Sequence, residues 1–543
     1  MPRNQKLPFV QSSYRSGMYD KPSLELPDTY CQNIENMVVD GDQLTSRGGK
    51  TKLPFHDGGF TFPGEMQGIH QFWDNNGTSY LIMVSEGRVW RYSWDGADPT
   101  EITGSVTLSN STDARYVFRN YDGGCYFTDG INPMVYIADG SSNCALFSSL
   151  GPNVPSRASA LEIFENSFVW GNFTDFDTDS TDRRYGTIVS QIAKPAEYRA
   201  DQGARNDHNR AMAVQSLAKM RGVLLILMER AIRYATLDPA PSQLGYARTS
   251  LYYDDLTEEF ETRGLVAPLG VQASRRGTFI IDRPGLHQIP RGKPPGEPQY
   301  ISLPIETFWD TIYQARIQQT VAAAIPERNG ILFCVPYGDA QTQNNRGIFF
   351  NIESWTDRGG DIEDIHPAFS IFSGTGDEPF SFNCLANIID DHTDTDKQGR
   401  PRCLGGDYDG YVYYIDEGTD DDGTDITCKW TSPRFGDSNR EFRWDELLLE
   451  TSSESIKTLT AAQVQYGKTD NSQSQTVGST SPVLGQFLLG THFLGGQLIG
   501  TWRGKLSGPS RYTHIEWTVD PSSLPITIHK QTIRCKPGGT QGV

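Results

Sequence analysis

The chain has 543 residues, enough for two to four domains or one large repeat architecture, which excludes a single small module. It carries 48 Lys+Arg against 67 Asp+Glu, a formal net charge of −19, so no diffuse positive field exists to hold nucleic acid or anionic lipid by counterion release. Hydrophobic residues at 37%, aromatics at 11%, 54 Gly and 31 Pro describe a folded, turn-rich chain that leans to all-β.

From the N-terminus, Met1 to Lys6 is not followed by an apolar segment, so no secretory signal is expected. Residues 1–58 are Pro-rich and read as an irregular arm lying on other surfaces. From residue 59 a unit recurs in which a short apolar strand, a Gly-containing turn and an aromatic-rich strand follow one another. Leu81–Val84 turns at Ser85-Glu86-Gly87 into Arg88–Trp94, where Trp90, Tyr92 and Trp94 share a face by period two. Gly124–Phe127 turns at Asp129-Gly130 into Met134–Ile137. Further pairs are Leu224–Met228 with Ile232–Thr236, Phe279–Asp282 with Leu286–Ile289, and Ile331–Val335 with Ile348–Ile352. Asp409-Gly410 leads into Tyr411–Ile415, the Asp-Gly pairs supplying positive φ at turns. One helical stretch stands out, with Ile305, Phe308, Trp309 and Ile312 at i, i+3, i+4 and i+7; it is expected to pack over a sheet edge. The acidic run Asp416–Asp425 reads as a loop closing a region 59–425. Beyond it, 426–543 reads as a C-terminal β region, with longer strands at Arg443–Glu450, Tyr512–Val519 and Ile526–Ile533. That region is either a small sandwich or the last blades with an insertion.

Hairpins with both faces often apolar suit stacked sheets better than one sheet with a wet side. The expectation is an all-β protein, a β-propeller of open blade number with an N-terminal arm and an additional C-terminal β region. The apolar run Val223–Met228 is far too short to span a bilayer. Eight scattered cysteines without a C-x-x-C read as free, mostly buried thiols. No phosphate loop, dinucleotide fingerprint, G-x-S-x-G or H-E-x-x-H occurs, so no catalytic residue and no cofactor is assigned. Ser93–Ala97 resembles the Asp box of sialidase propellers but has Ala97 where that box has Gly, and reads as a hairpin turn. Two acidic loops have partial metal-ligand spacing. Asp394 and Asp396 open like a calcium loop, but Gly405 stands where the bidentate Glu belongs. Asp175, Asp177, Asp179 and Asp182 lack a central Gly. Both read as solvated loops, so fold and assembly are expected to survive chelation.

Near the N-terminus, Cys31 to Gly49 carries Asn36-Met37, then Gly41 and Leu44, then Arg47 and Gly49. This segment resembles the opening "N-M … G-x-L … R-x-G" of the β-propeller hub or nozzle proteins of bacteriophage tails, including the packaged-DNA stabilisation and tail tubular proteins of short-tailed phages. Phe168–Gly171, Ile188–Ser190 with Pro195 to Tyr198, Leu224–Ile232, Gly264–Pro268, Gly285–His287 and Gly405–Tyr413 follow in the order of that family. The resemblance runs from about Cys31 to Asp425 and fades beyond. It implies a non-enzymatic virion protein, made in the host cytoplasm, and a homohexameric ring below the portal and adaptor proteins that closes and later opens the DNA channel. It implies tail-fibre or other tail neighbours and DNA passing without specific binding. Six copies would carry about −114 formal charges, and acidic loops facing the bore would let DNA slide. The competing expectation is a β-propeller that binds or hydrolyses host-surface glycans. The aromatic strands bear on it, although period-two aromatics ordinarily serve as packing.

Overall fold

The computed structural model describes the chain apart from residues 1–6, 21–25, 140–141, 152, 175–181, 199–204, 209–211, 238–250, 257–262, 357–365, 375–378, 393–397, 438–439, 454–456, 466–467, 478–497, 507, 521–524 and 538–543. Antiparallel strands dominate, because β-branched and aromatic residues recur in short runs punctuated by Gly turns. The expected hairpins all form. Val223–Met228 pairs with Ile232–Leu237, Gly277–Ile281 with Leu286–Pro290, and Gly330–Val335 with Arg346–Thr356. Val223–Met228 is buried at every position, which explains its continuous apolar run: both faces of the sheet are covered.

Seven sheets stand round one axis. Five are self-contained, four-stranded blades whose first strands are Met66–Trp73, Val117–Tyr121, Ala158–Phe164, Val214–Met220 and Val271–Ser274. Blade six begins at Val321–Ile325 and ends at His366–Ser373. Blade seven runs from Cys384–Ile389 to Val412–Ile415 and takes its outer strand, Lys50–Lys52, from the N-terminal segment. Each first strand packs beside the first strand of the next blade, and that of blade seven packs beside that of blade one, so the ring is closed.

Residues 7–58 are not an irregular arm. Their strands are laid into several sheets, because their edges find unpaired N–H and C=O groups there. Leu7–Gln11 pairs with Ile526–Pro537, Asn33–Glu35 lies between His366–Ser373 and Cys428–Thr431, and Gln43–Ser46 joins Ile526–Pro537. Blade six therefore continues through Asn33–Glu35 into Cys428–Thr431, Tyr512–Val519, Lys457–Gln465 and Lys468–Val477 as one ten-stranded sheet. A second C-terminal sheet, built on Phe442–Ser453, Leu498–Lys505 and Ile526–Pro537, faces it. Indoles fill the space between. Trp430 stacks on Trp517 at 5.3 Å and Trp502 meets Trp517 edge-on at 5.1 Å. One apolar cluster runs from these indoles through Ile34 and Met37 to Leu225, Phe279 and Phe350 in blades four to six. Propeller and C-terminal region thus share a core.

The amphipathic stretch at Ile305 is shorter than its periodicity predicts. A 3-10 turn over Leu303–Ile305 and one α-turn over Glu306–Trp309 carry it, and Ile312 already bridges to Tyr337 in strand geometry. β-branched Thr311 and Ile312 follow it, which disfavours its continuation. Ile305, Phe308, Trp309 and Ile312 are all buried. Among the described residues no helix is long and apolar enough to cross a membrane.

Candidate functional site

Within the segment Asn36–Gly49, three residues, Asn36, Arg47 and Gly49, converge on one junction. Asn36 takes a left-handed conformation (φ 57°), and its Oδ1 accepts from Arg47 Nε at 2.9 Å and from the Ser373 amide at 2.8 Å. Arg47 is 3% exposed. Its Nη1 donates to Asp421 Oδ1 and to the Gly48 carbonyl, both at 2.8 Å; its Nη2 donates to Asp421 Oδ2 at 2.6 Å and to the Ser373 carbonyl at 3.0 Å. All five guanidinium N–H groups are used, and Phe372 and Phe380 lie within 5.6 Å of its carbon. Met37 and Leu44 are fully buried in the shared core. Gly41 makes the turn between their strands at φ +58°. A Cβ on Gly49 would lie 1.7 Å from the Asp420 carbonyl oxygen, so only glycine lets these two backbones meet.

The acidic run Asp416–Asp425 belongs to the same junction. It forms a small hairpin, Asp420–Asp421 with Thr424–Asp425, at the edge of blade seven. Four of its six acids form ion pairs. Asp416 pairs with Arg328 at 2.6 Å, Glu417 with Arg402, Asp421 with Arg47, and Asp422 with Lys52 at 2.7 Å. Two of the pairs, with Arg47 and Lys52, clamp the run onto residues 47–52.

The second feature is the axis of the ring. The first strands of all seven blades enclose a cavity of about 330 Å3. Its charged and imidazole lining residues are His70, Arg119, Glu162 and Lys219, from blades one to four, and Ser216, Gln272 and Asn387 also line it. Arg119 and Glu162 form a two-pronged ion pair at 3.0 and 2.7 Å. His70 lies flat on Phe118, its centroid 5.3 Å away. Burial, aided by the Arg119 charge, lowers its pKa to about 4, so the ring is neutral at pH 7. Asn120 donates to the Gln71 carbonyl at 2.8 Å, which turns its Oδ1 to His70 Nε2 at 3.0 Å; Nε2 therefore carries the proton. Beside this cavity a smaller hollow of about 220 Å3 contains Asp113, Asp129, Ser159 and Gln318. Asp129 is spent on its turn, accepting from the amides of Ile131 and Asn132 and from Asn132 Nδ2. Asp113 faces Arg316 at 3.5 Å.

Asp394 and Asp396 lie outside the described residues, as do Asp175, Asp177 and Asp179. Asp182 is exposed and pairs with Arg157 at 3.0 Å. Among the described residues no three His, Cys, Asp or Glu side chains gather as a metal set. At the Ser93–Ala97 turn, Asp95 Oδ1 accepts from the Ala97 amide at 3.1 Å. The eight cysteines are free and buried, and burial pushes the Cys31 thiol up to about 12, which removes the nucleophilic thiolate at neutral pH. Sequence reasoning did not find the channel residues. They come one each from blades one to four, and a charged residue or histidine within the first strand of each of those blades is the signal that would have found them.

No family model matches the chain, and no curated protein matches it. Among solved structures it is similar to YCF48 bound to D1 peptide at 11% identity and a TM-score of 0.37, covering 68% of this chain and 95% of that one. It is similar to an ancestral GH74 enzyme at 10% identity and 0.37, covering 78% and 50%. A glycoside hydrolase is similar at 10% identity and 0.25, covering 89% and 100%. Likeness at this level carries no argument about activity.

Proposed function

We propose that the chain is a structural subunit of a phage tail nozzle or hub, forming a homohexameric ring below portal and adaptor proteins through which DNA passes. One observation carries the reading. Of the residues on which the sequence resemblance rests, Asn36, Arg47 and Gly49 meet at the junction that ties the N-terminal segment to blades six and seven, while Met37 and Leu44 are buried in the shared core and Gly41 makes the turn between their strands. Such a motif serves the rigidity of a composite body rather than chemistry. A propeller fused through a continuous sheet to a sandwich suits a part that carries load, because no flexible linker separates the two. The test is negative-stain imaging of the purified chain, alone and with its candidate portal partner, beside mass spectrometry of purified virions. Sixfold rings and presence in virions support the reading; a monodisperse monomer that is absent from virions removes it.

A second reading, a propeller that binds or hydrolyses surface glycans, draws on the axial cavity, which is of small-molecule size. Hydrolysis ordinarily needs two carboxylates flanking the scissile bond. The axial cavity offers Glu162, whose oxygens Arg119 occupies, and the adjoining hollow offers Asp113 and Asp129. Release of reducing sugar from host polysaccharide by the isolated chain would replace the assembly reading with this one.

A further inference from the structure

The wall of the axial cavity is uneven. Blades one to four contribute His70, Arg119, Glu162 and Lys219, whereas blades five to seven contribute no charged or imidazole side chain: short apolar ones such as Val271, Ala273 and Ala322, beside the neutral amides of Gln272 and Asn387. Within a chain of net charge −19, this wall holds two cations against one carboxylate. Arg119 donates through Nε and Nη2 to Glu162, and through Nη1 to the Phe118 carbonyl at 2.7 Å. A guanidinium has five N–H donors. The two left over are one on Nη1 and one on Nη2, neighbouring nitrogens in one plane. Among the described residues nothing accepts from them, and the side chain is 33% exposed. Lys219, on blade four, is exposed and has no ion-pair partner among the described residues.

Two N–H donors on neighbouring guanidinium nitrogens match the two oxygens of a carboxylate in one plane. A compact ammonium adds charge without imposing that geometry. The apolar side has no use for a hydrated inorganic ion, but it covers a carbon skeleton. We propose that the axial cavity is a binding site for a small organic carboxylate, gripped by the free edge of Arg119 and by Lys219, with its skeleton against Val271, Ala273 and Ala322. Glu162 is the positioning residue: by occupying one edge of Arg119 it holds the other edge open. The site stands independently of the assembly reading, since it concerns one ring of blades and not contacts between copies.

The experiment is calorimetric titration of the full chain with sodium glucuronate, malate, acetate and inorganic phosphate. At least one of the organic acids should bind saturably with a submillimolar Kd. Preference for glucuronate identifies a polysaccharide-derived ligand, and preference for malate a free metabolite; either supports the site. Lys219→Gln, which leaves the Arg119–Glu162 pair intact, should weaken binding about tenfold at unchanged melting temperature. Arg119→Lys keeps the charge, loses the fork and should weaken the acids more than phosphate. The proposal is overturned if no organic acid binds saturably up to about 20 mM, if phosphate binds at least as tightly as the acids, or if Lys219→Gln leaves the Kd unchanged.

Discussion

The junction at Arg47 and the channel wall at Arg119 are built from the same device, a guanidinium gripping a carboxylate with two bonds, yet they do different things. At the junction the protein consumes every donor, and both side chains of the pair are nearly inaccessible, at 1% and 3%. In the channel two donors are left over and a third of the side chain meets the lumen. The number of donors consumed, rather than residue type or the presence of an ion pair, separates a structural arginine from one available to a ligand. The cost of disturbance differs for the same reason. Removing either partner at the junction strands a charge with no access to water, whereas at the axial cavity removing Glu162 leaves a guanidinium that is one-third exposed, and only the loss of Arg119 strands a buried carboxylate.

Acid should disturb both regions and gives the largest effect. His56, beside the junction, accepts from the Val412 amide at 3.0 Å through Nε2; His70 lies in the channel wall. Both have pKa values lowered to about 4, chiefly by burial, as do His208, His287 and His514. The unfolded chain takes up these protons near pH 6.5 and the folded chain only near 4, so the unfolded state binds more protons between those values. Stability is therefore full above about pH 6.5 and falls as pH drops towards 4, each ring contributing up to roughly 1.4 kcal/mol per pH interval of one. Denaturant unfolding at pH 7 and pH 5 checks this; a flat profile would mean the rings are not held neutral.

Next is Arg47→Met, which should cost about 3–5 kcal/mol by leaving Asp421 buried and unpaired. Adding Asp421→Leu should recover most of that loss, and failure to recover would locate the cost elsewhere in the network. Gly49→Ala should cost about 1–3 kcal/mol or more, because its Cβ runs into the Asp420 carbonyl. Gly41→Ala meets nothing within 4 Å and suffers only from φ +58°, so about 1 kcal/mol is expected. Urea midpoints of the two glycine variants separate close approach from conformational strain. The smallest effect is at the rim of the junction. Lys52 and Asp422 are 28% and 25% exposed, and Lys52→Ala should change stability by less than about 1 kcal/mol, the more weakly the higher the salt.

Much of the blade architecture is legible in the sequence. Leu224–Met228 with Ile232–Thr236 and Ile331–Val335 with Ile348–Ile352 are hairpins whose pairing depends on residues close in the chain. Their apolar runs, turn glycines and period-two aromatics are local signals. Blade number is not legible there, because three-residue and two-residue outer strands such as Val135–Ile137 and Ala145–Leu146 leave little pattern. Blade seven also borrows Lys50–Lys52 from more than 300 residues upstream. The acidic run misleads for a related reason. Asp416, Glu417, Asp421 and Asp422 read only as a boundary loop, since their partners Arg328, Arg402, Arg47 and Lys52 are not adjacent in sequence.

What the sequence determined by itself is the set of features that short stretches of chain can enforce: all-β character, the hairpins and their turns, the buried thiols, and a motif at Asn36–Gly49 that marks this segment as special. Tertiary structure alone decided what that motif does and where a ligand has room. Arg47 and Asp421 are 374 residues apart, and His70, Arg119, Glu162 and Lys219 come from four different blades. Each of those side chains is an ordinary polar residue on a strand until the ring closes. Closure brings their strands to one axis and, among the described residues, leaves two donors of Arg119 without a protein acceptor.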